Sequence, residues 1–154
     1  MARIEASTHI EATPARVWEV LIDWENQARW MEDARSVEVL SVDREGVDVV
    51  VRCRTDIAAG LVITDDMVTT SWVPERSVAI RHLGRIIRGI GAFELEPTAD
   101  GTYFTWWEEV EAPFGPLGDA LTDVLVVPFV RRIFRASLAN LKREAEAGAQ
   151  PAPH

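Results

Sequence analysis

The period of the apolar pattern changes within this chain, and that change is what most limits the folds it can adopt. From residue 36 to residue 111, apolar and polar side chains alternate in successive strand-length segments. Only short connections separate these segments, with no helix-length pattern between them. Alternation of period two indicates strands with one buried and one solvated face, as in antiparallel sheets. This region is therefore predicted to be an antiparallel meander.

Turn residues divide the region into six strands, and one further strand precedes it. Charged residues, glycine and proline mark turns at residues 44–46, 74–76 and 97–101. The six predicted strands cover residues 36–39, 47–54, 61–73, 78–83, 86–96 and 102–111, and the earlier strand covers residues 3–9.

Two short helices are predicted between the first strand and the meander. Thr13 is a suitable N-cap, and Pro14 suits the first helical turn because its missing N–H removes no bond there. Trp18 and Leu21 then follow at helical spacing on one face. A second short helical segment is predicted at residues 25–32.

A long helix is predicted after residue 116, extending to about residue 147. Its apolar stripe consists of Val127, Val130, Phe134, Leu138 and Leu141. Pro128 is expected to bend this helix, so that residues 117–127 can move as a lid. A long meander curls, and this helix is long enough to cover its inner face. The predicted fold is thus α+β, a curved antiparallel sheet around a long C-terminal helix.

Length and charge exclude several classes of protein. The chain has 154 residues, which fits one domain at residues 1–147, followed by a disordered tail at residues 148–154. With 25 acidic and 16 basic residues, the net charge of −9 disfavours nucleic acid as a partner. No stretch of about 20 apolar residues predicts a membrane span. The N-terminus lacks a signal-peptide pattern, which predicts a cytoplasmic location.

Cysteine and histidine are too scarce for the common metal sites. The chain contains one cysteine, Cys53, and three histidines. An internal disulfide and a multi-cysteine zinc site are therefore excluded, and a histidine-rich metal centre is disfavoured. Asp65 and Asp66 are adjacent on a strand and must point to opposite faces, so they do not form a metal-binding pair. We predict neither a metal nor a cofactor.

Several short motifs resemble a known family. They are ATPARVWEVLIDW at residues 12–24 followed by Trp30, PER at 74–76, FELEP at 93–97, GTYFTW at 101–106, FGPLG at 114–118 and LANLK at 138–142. This pattern resembles the START/Bet v 1-like superfamily (SRPBCC), in particular its polyketide cyclase/dehydrase and lipid-transport branch. The resemblance covers nearly the whole chain. It implies a helix-grip fold with a deep hydrophobic cavity between the sheet and the long helix.

The side chains facing that cavity are predicted from strand parity and helix position. Trp106 shares a face with Phe104 and Glu108, and is expected to point inward, whereas Trp107 points outward. The predicted ligand-binding residues are Trp30, Val51, Cys53, Val68, Trp72, His82, Phe93, Trp106, Glu108, Leu121, Leu125 and Phe129. The pocket between sheet and helix is expected to have a volume on the order of several hundred Å³.

Two of these residues are candidates for moving protons. Glu108 is in phase with the inner face, where a carboxyl group could serve as a general acid or base on an enolisable ketone. Alternatively, Glu108 reaches solvent near the strand end or pairs with an arginine. His82 is in phase with Val78 and Ile80, and an inward histidine can transfer protons near neutral pH. Alternatively, His82 is a core residue bonded to a neighbouring backbone group.

Three functions follow from these expectations. The first is binding of a hydrophobic small molecule, such as a lipid or a polyketide, without catalysis. The second is a polyketide aromatase/cyclase, in which the cavity folds a poly-β-ketone and His82 or Glu108 moves protons. The third is an interaction module in which the extra apolar helix face at Val126 and Val130 binds a partner or a second copy in a homodimer. Fold alone does not choose among them.

Overall fold

A computed structural model describes residues 2–58, 60–111, 120 and 122–148. The strands are β1 (Ala2–Ile10), β2 (Ala34–Val39), β3 (Val50–Ala58), β4 (Leu61–Val73), β5 (Ser77–His82), β6 (Gly89–Thr98) and β7 (Gly101–Val110). The helices are α1 (Pro14–Leu21), a 3₁₀ helix (Trp24–Arg29), a π-helix (Thr122–Val126) and α2 (Val127–Gly148). Of the predicted tail at residues 148–154, only Gly148 lies within the described residues.

The seven strands form one antiparallel sheet in the order β1-β7-β6-β5-β4-β3-β2. Strands β2 to β7 are therefore a meander, and β1 pairs with β7 to extend it. The sheet is curved and α2 packs against its inner face, which confirms the predicted helix-grip architecture. No helix among the described residues is long and apolar enough to cross a membrane.

The N-terminal helices begin as their sequence predicts. The Thr13 side chain accepts a hydrogen bond from the Arg16 N–H at 3.2 Å, and Pro14 is the first residue of α1. Trp18 and Leu21 are buried on one side of the helix. The second segment is a 3₁₀ helix, and it starts one residue earlier and ends three residues earlier than expected.

The predicted apolar stripe of α2 faces the core. Val127, Phe134, Leu138 and Leu141 are buried, and Val130 packs partly buried against them. The backbone pattern changes from π to α at Val127, next to Pro128. Pro128 thus lies at the junction of the π-helix and α2, where it has no N–H to donate to the preceding turn. The bend and the lid movement stay predictions, and residues 117–119 and 121 of the predicted lid lie outside the described residues.

A β-bulge in β4 corrects one prediction. Thr69 pairs with Ile80 and Ser71 pairs with Ala79, so Thr70 is an extra residue that reverses the alternation. Trp72 lies opposite Val78 on the inner face, whereas Val68 lies opposite Arg81 on the outer face. The prediction that Val68 and Trp72 share the inner face is therefore wrong, and Val68 does not face the core.

Aromatic side chains fill the middle of the space between sheet and helix. Trp106 stacks on Phe134 with ring centroids 3.6 Å apart. Phe93 and Trp30 pack edge-on against Trp106, at 5.5 and 6.3 Å. Phe104 adjoins Phe93. We call these five residues the aromatic cluster. Because they pack against one another, the predicted pocket does not extend through this part of the interface.

Candidate functional site

A buried ion pair joins β4 and β5 at one end of the inner face. His82 Nδ1 lies 2.6 Å from Asp65 Oδ2, and both side chains are almost fully buried, at 4% and 6% exposure. The bulge at Thr70 is what turns Asp65 inward, since it reverses the parity of β4. The neighbouring Asp66 faces outward and pairs with Arg52 at 2.8 Å.

Glu108 approaches the same histidine from β7. Its Oε2 lies 3.8 Å from His82 Nε2, which is an ion-pair distance but too long for a hydrogen bond. Strand β6 separates β5 from β7, and the residue of β6 opposite Glu108 is Gly91. A Cβ atom on Gly91 would lie only 2.8 Å from Glu108 Cγ. The missing side chain of Gly91 therefore leaves room for Glu108 to extend across β6.

The pair retains unused hydrogen-bonding capacity. Within the described part of the chain, His82 Nε2, Asp65 Oδ1 and Trp30 Nε1 are buried without a hydrogen-bond partner. Buried polar atoms in folded proteins are nearly always bonded, so such atoms need an explanation. His82 Nε2 faces Glu108 Oε2, so these two polar groups lie side by side on the inner face.

The protein environment shifts the pKa of several ionisable side chains near the pair. Burial disfavours the charged imidazole of His82, but the hydrogen bond to Asp65 and the nearby Glu108 carboxylate outweigh it and raise the pKa of His82 to about 9. Burial raises the pKa of the Cys53 thiol to about 11, so this cysteine is a protonated, unreactive thiol at neutral pH. Burial also raises the pKa of the Asp33 carboxyl, and the nearby charge of Glu108 adds to this.

The structure distributes the predicted ligand-binding residues over three regions of the inner face. Cys53, His82 and Glu108 lie around the ion pair, and Cys53 is the register partner of Asp65. Trp30, Phe93 and Trp106 belong to the aromatic cluster, and buried Val51 pairs with Met67. Trp72 lies farther along β4 and contacts Trp18 and Trp24. Their roles in binding stay predictions.

The helical candidates are not placed as expected. Leu125 and Phe129 are 66% and 55% exposed, so neither lines an enclosed cavity. The reason for Phe129 is its position on α2, because the stripe through Val127 and Phe134 faces the core and Phe129 lies on another side. Leu121 lies outside the described residues.

Comparison with known proteins identifies the family. The family model for polyketide cyclase / dehydrase and lipid transport matches residues 1–146. This chain belongs to that family. No curated protein matches the chain.

Solved structures show the same fold. The protein TTHA0849 of Thermus thermophilus superimposes with a TM-score of 0.80 at 21% identity, covering 97% of this chain and 100% of that one. The Zhui aromatase/cyclase from Streptomyces sp. R1128 has a TM-score of 0.78 at 25% identity, covering 98% and 97%. One further match is the di-domain aromatase/cyclase BexL from the BE-7585A biosynthetic pathway, with a TM-score of 0.70 at 17% identity. It covers 99% of this chain and 51% of that one.

In this polyketide cyclase/dehydrase family member, two residues of the site, Asp65 and Gly91, are not predicted from the sequence. For Asp65 the sequence predicts only that it does not bind metal, because the Thr70 bulge cannot be located from alternation alone. Gly91 has no side chain, so strand parity gives it no place among the predicted site residues. Two rules point to these residues. A carboxylate on the inner face needs a partner on the same face, and a long side chain needs a residue without a side chain opposite it.

Proposed function

We propose that this domain binds an apolar carbonyl compound on the inner face of its sheet and transfers protons on it, as a polyketide cyclase or dehydrase. The observation that carries the proposal is the buried His82 imidazole, which Asp65 holds through Nδ1 while Nε2 faces Glu108. A histidine oriented by a carboxylate through one nitrogen has its other nitrogen free for proton transfer. Membership of the family supports the same reaction class.

The two groups have different roles at neutral pH. With a pKa of about 9, His82 carries a proton on both nitrogens and can donate from Nε2 to a carbonyl or alkoxide oxygen. The Glu108 carboxylate can remove a proton from the carbon next to a carbonyl group. The resulting enolate attacks a second carbonyl carbon in the same chain, and the new alkoxide takes the His82 proton. Asp65 stabilises the imidazolium and fixes its orientation without touching the substrate.

Apolar surface beside the pair is available to a ligand. Met67 and Ile80 lie next to His82 on the inner face, and Val110 is two residues after Glu108. These three side chains pack against the core but are only partly buried. A hydrophobic chain that covers them would gain about 25 cal/mol for each Å² of apolar surface removed from water. The ligand class is therefore a hydrophobic molecule that carries carbonyl groups.

The test uses neighbouring acids as matched controls. A β-ketothioester with an aryl tail serves as the probe, and α-proton exchange into D₂O and product formation are followed by NMR. His82→Gln and Glu108→Gln should lower the rate by about 10²–10⁴ while probe binding survives. Asp65→Asn should shift the pH profile of the rate to lower pH. Asp66→Asn and Glu109→Gln alter the adjacent, outward-facing acids and should change neither rate nor binding.

The same variants separate the enzyme from a carrier. A non-catalytic binding protein is the alternative, since the partly buried Met67, Ile80 and Val110 offer apolar contact without titratable groups. In that case the His82 and Glu108 variants would change probe affinity by only about 0.5–1.5 kcal/mol, and no exchange above the uncatalysed rate would be seen. Exchange at the wild-type rate in both variants would refute the catalytic assignment. Native mass spectrometry of protein from its own host would identify a retained ligand.

A further inference from the structure

Exposed apolar residues and arginines coincide in two segments of the surface. In residues 81–90 there are three arginines and no acid, and in residues 124–135 there are again three arginines and no acid. The rest of the chain holds all 25 of the acidic residues and ten of the 16 basic ones. Among the described residues, the same two segments include seven of the 13 exposed large apolar side chains. Positive charge and exposed apolar side chains are thus concentrated in the same two segments.

The first segment, which we call the loop patch, joins β5 to β6. Leu83, Ile86 and Ile90 are exposed there, and Ile86 has 69% of its surface in contact with solvent. Arg81, Arg85 and Arg88 surround them and line a surface depression of about 760 Å³. Glu111 is the one acid in this lining, and its carboxylate lies 3.5 Å from Arg88 Nε.

The second segment, which we call the helix patch, covers residues 124–135, from the last three residues of the π-helix into the start of α2, and Asp123 immediately precedes it. Val124, Leu125, Val126 and Phe129 are exposed, at 47–71%. Arg132 follows Phe129 by three residues, so the two side chains are neighbours on the helix surface, and Arg135 follows Arg132 at the same spacing. A helix with exposed apolar residues and arginines is typical of segments that lie on a membrane surface.

We propose that the loop patch and the helix patch bind the domain reversibly to a membrane that contains anionic lipids. Such a surface presents negative headgroups above an apolar layer, so it complements the arginines and the apolar side chains at once. A lipid surface needs no matching shape, whereas a folded acidic partner would have to match the shape of each patch. The net charge of −9 does not prevent this, because salt screens charges beyond about 8 Å.

Membrane contact has a consequence for the inner face. His82 is the last residue of β5 and lies within the loop patch. The chain leaves β7 at the same end of the sheet, where the Glu111 N–H donates to Arg88 O. Binding through the loop patch would bring this end of the sheet to the lipid surface. A hydrophobic molecule could then pass between membrane and protein with little exposure to water.

Vesicle sedimentation with the full-length chain tests the proposal without any turnover. Binding is expected to vesicles of phosphatidylcholine mixed with phosphatidylglycerol, to weaken with added salt, and to be absent with phosphatidylcholine alone. Each arginine near the surface contributes about a fivefold gain in partitioning, so replacing all three loop-patch arginines by glutamine should weaken binding about a hundredfold. The pair Leu125→Ser and Phe129→Ser should also weaken it.

Matched variants elsewhere on the surface complete the test. Arg29, Arg54 and Arg76 are exposed arginines outside both patches, and their combined replacement by glutamine removes the same charge. Val42→Ser changes a fully exposed apolar residue outside both patches. Neither control should affect binding, and thermal melting checks that every variant is folded. Equal loss in the controls, loss from only one patch, or no binding to anionic vesicles would each overturn the proposal.

Discussion

At the scale of the residue, His82 is held charged inside the protein by two carboxylates. Burial alone would lower its pKa, yet the bond to Asp65 and the approach of Glu108 raise it to about 9. A paired buried charge of this kind contributes little net stability, but removing one partner leaves the other uncompensated. The arrangement is therefore better explained by the chemistry of His82 than by stability, since an apolar group of similar size would also fill the space.

The protonation of His82 makes stability depend on pH. Its pKa is about 9 in the folded state, against 6.5 for the unperturbed group. The stabilisation from protonated His82 is fully present below pH 6.5, where the folded and unfolded states both bind the proton. It is lost as the pH rises through about 9. The free energy of unfolding should fall by up to about 3 kcal/mol over this interval, as measured by urea denaturation.

His82→Gln is the control for this titration. The variant lacks the titrating group, so its free energy of unfolding should change much less over the same range of pH. NMR of the imidazole protons gives the pKa directly. Parallel stability curves for the wild type and the variant would contradict the assignment of the pH dependence to His82.

At the scale of the element, the site depends on two irregularities in the strands. The bulge at Thr70 in β4 turns Asp65 inward, and Gly91 in β6 allows Glu108 to reach His82 from two strands away. Without the bulge, Asp66 would share the inner face with Trp72, and any side chain at position 91 would block Glu108. Three strands therefore contribute to one ion-pair cluster without any loop residue.

Substitution of Gly91 tests how far Glu108 depends on this gap. In Gly91→Ala the new Cβ would meet Glu108 Cγ at 2.8 Å and push the carboxylate from its present position. The pKa of His82 should then fall, and the protein should lose about 1–3 kcal/mol of stability from overpacking. NMR titration measures the pKa of His82, and urea denaturation measures the stability. In a Glu108→Gln background, Gly91→Ala should leave the pKa of His82 unchanged, and a shift there would refute the explanation.

At the scale of the whole molecule, the interior is divided into a packed part and a polar part. The aromatic cluster closes the middle of the space between sheet and α2. Two hydrogen bonds attach α2 to the chain around Trp30. Ser137 Oγ accepts from the Glu32 N–H at 2.9 Å, and Asn140 Nδ2 donates to Trp30 O at 3.1 Å. The ion pair of Asp65 and His82 lies beyond the cluster, where apolar side chains are only partly covered.

Removal of one member of the cluster should show that it is a packed core. Phe134→Ala removes the ring that stacks on Trp106 and should cost about 3–5 kcal/mol of unfolding free energy. Arg135→Ala changes the next, exposed residue and serves as the control. Chemical denaturation measures both. A loss below about 1 kcal/mol for Phe134→Ala would mean that the aromatic side chains are not tightly packed.

The sequence by itself determined the elements and their order. Periodicity of two and of 3.6, the Thr13–Pro14 cap and the turn residues are local properties, so the antiparallel meander and the α2 stripe were correctly predicted. The inward orientation of His82 and Trp106 also followed, because parity is reliable within a regular strand.

Only the tertiary structure decided how the site is assembled. One extra residue in a strand reverses every side chain beyond it, and alternation does not reveal where the extra residue lies. The inward positions of Asp65 and Trp72 and the outward position of Val68 depended on that bulge. Likewise, the approach of Glu108 to His82 depends on the residue of β6 that lies between their strands, which is Gly91. The register that places Gly91 there is fixed by strand pairing and not by local sequence.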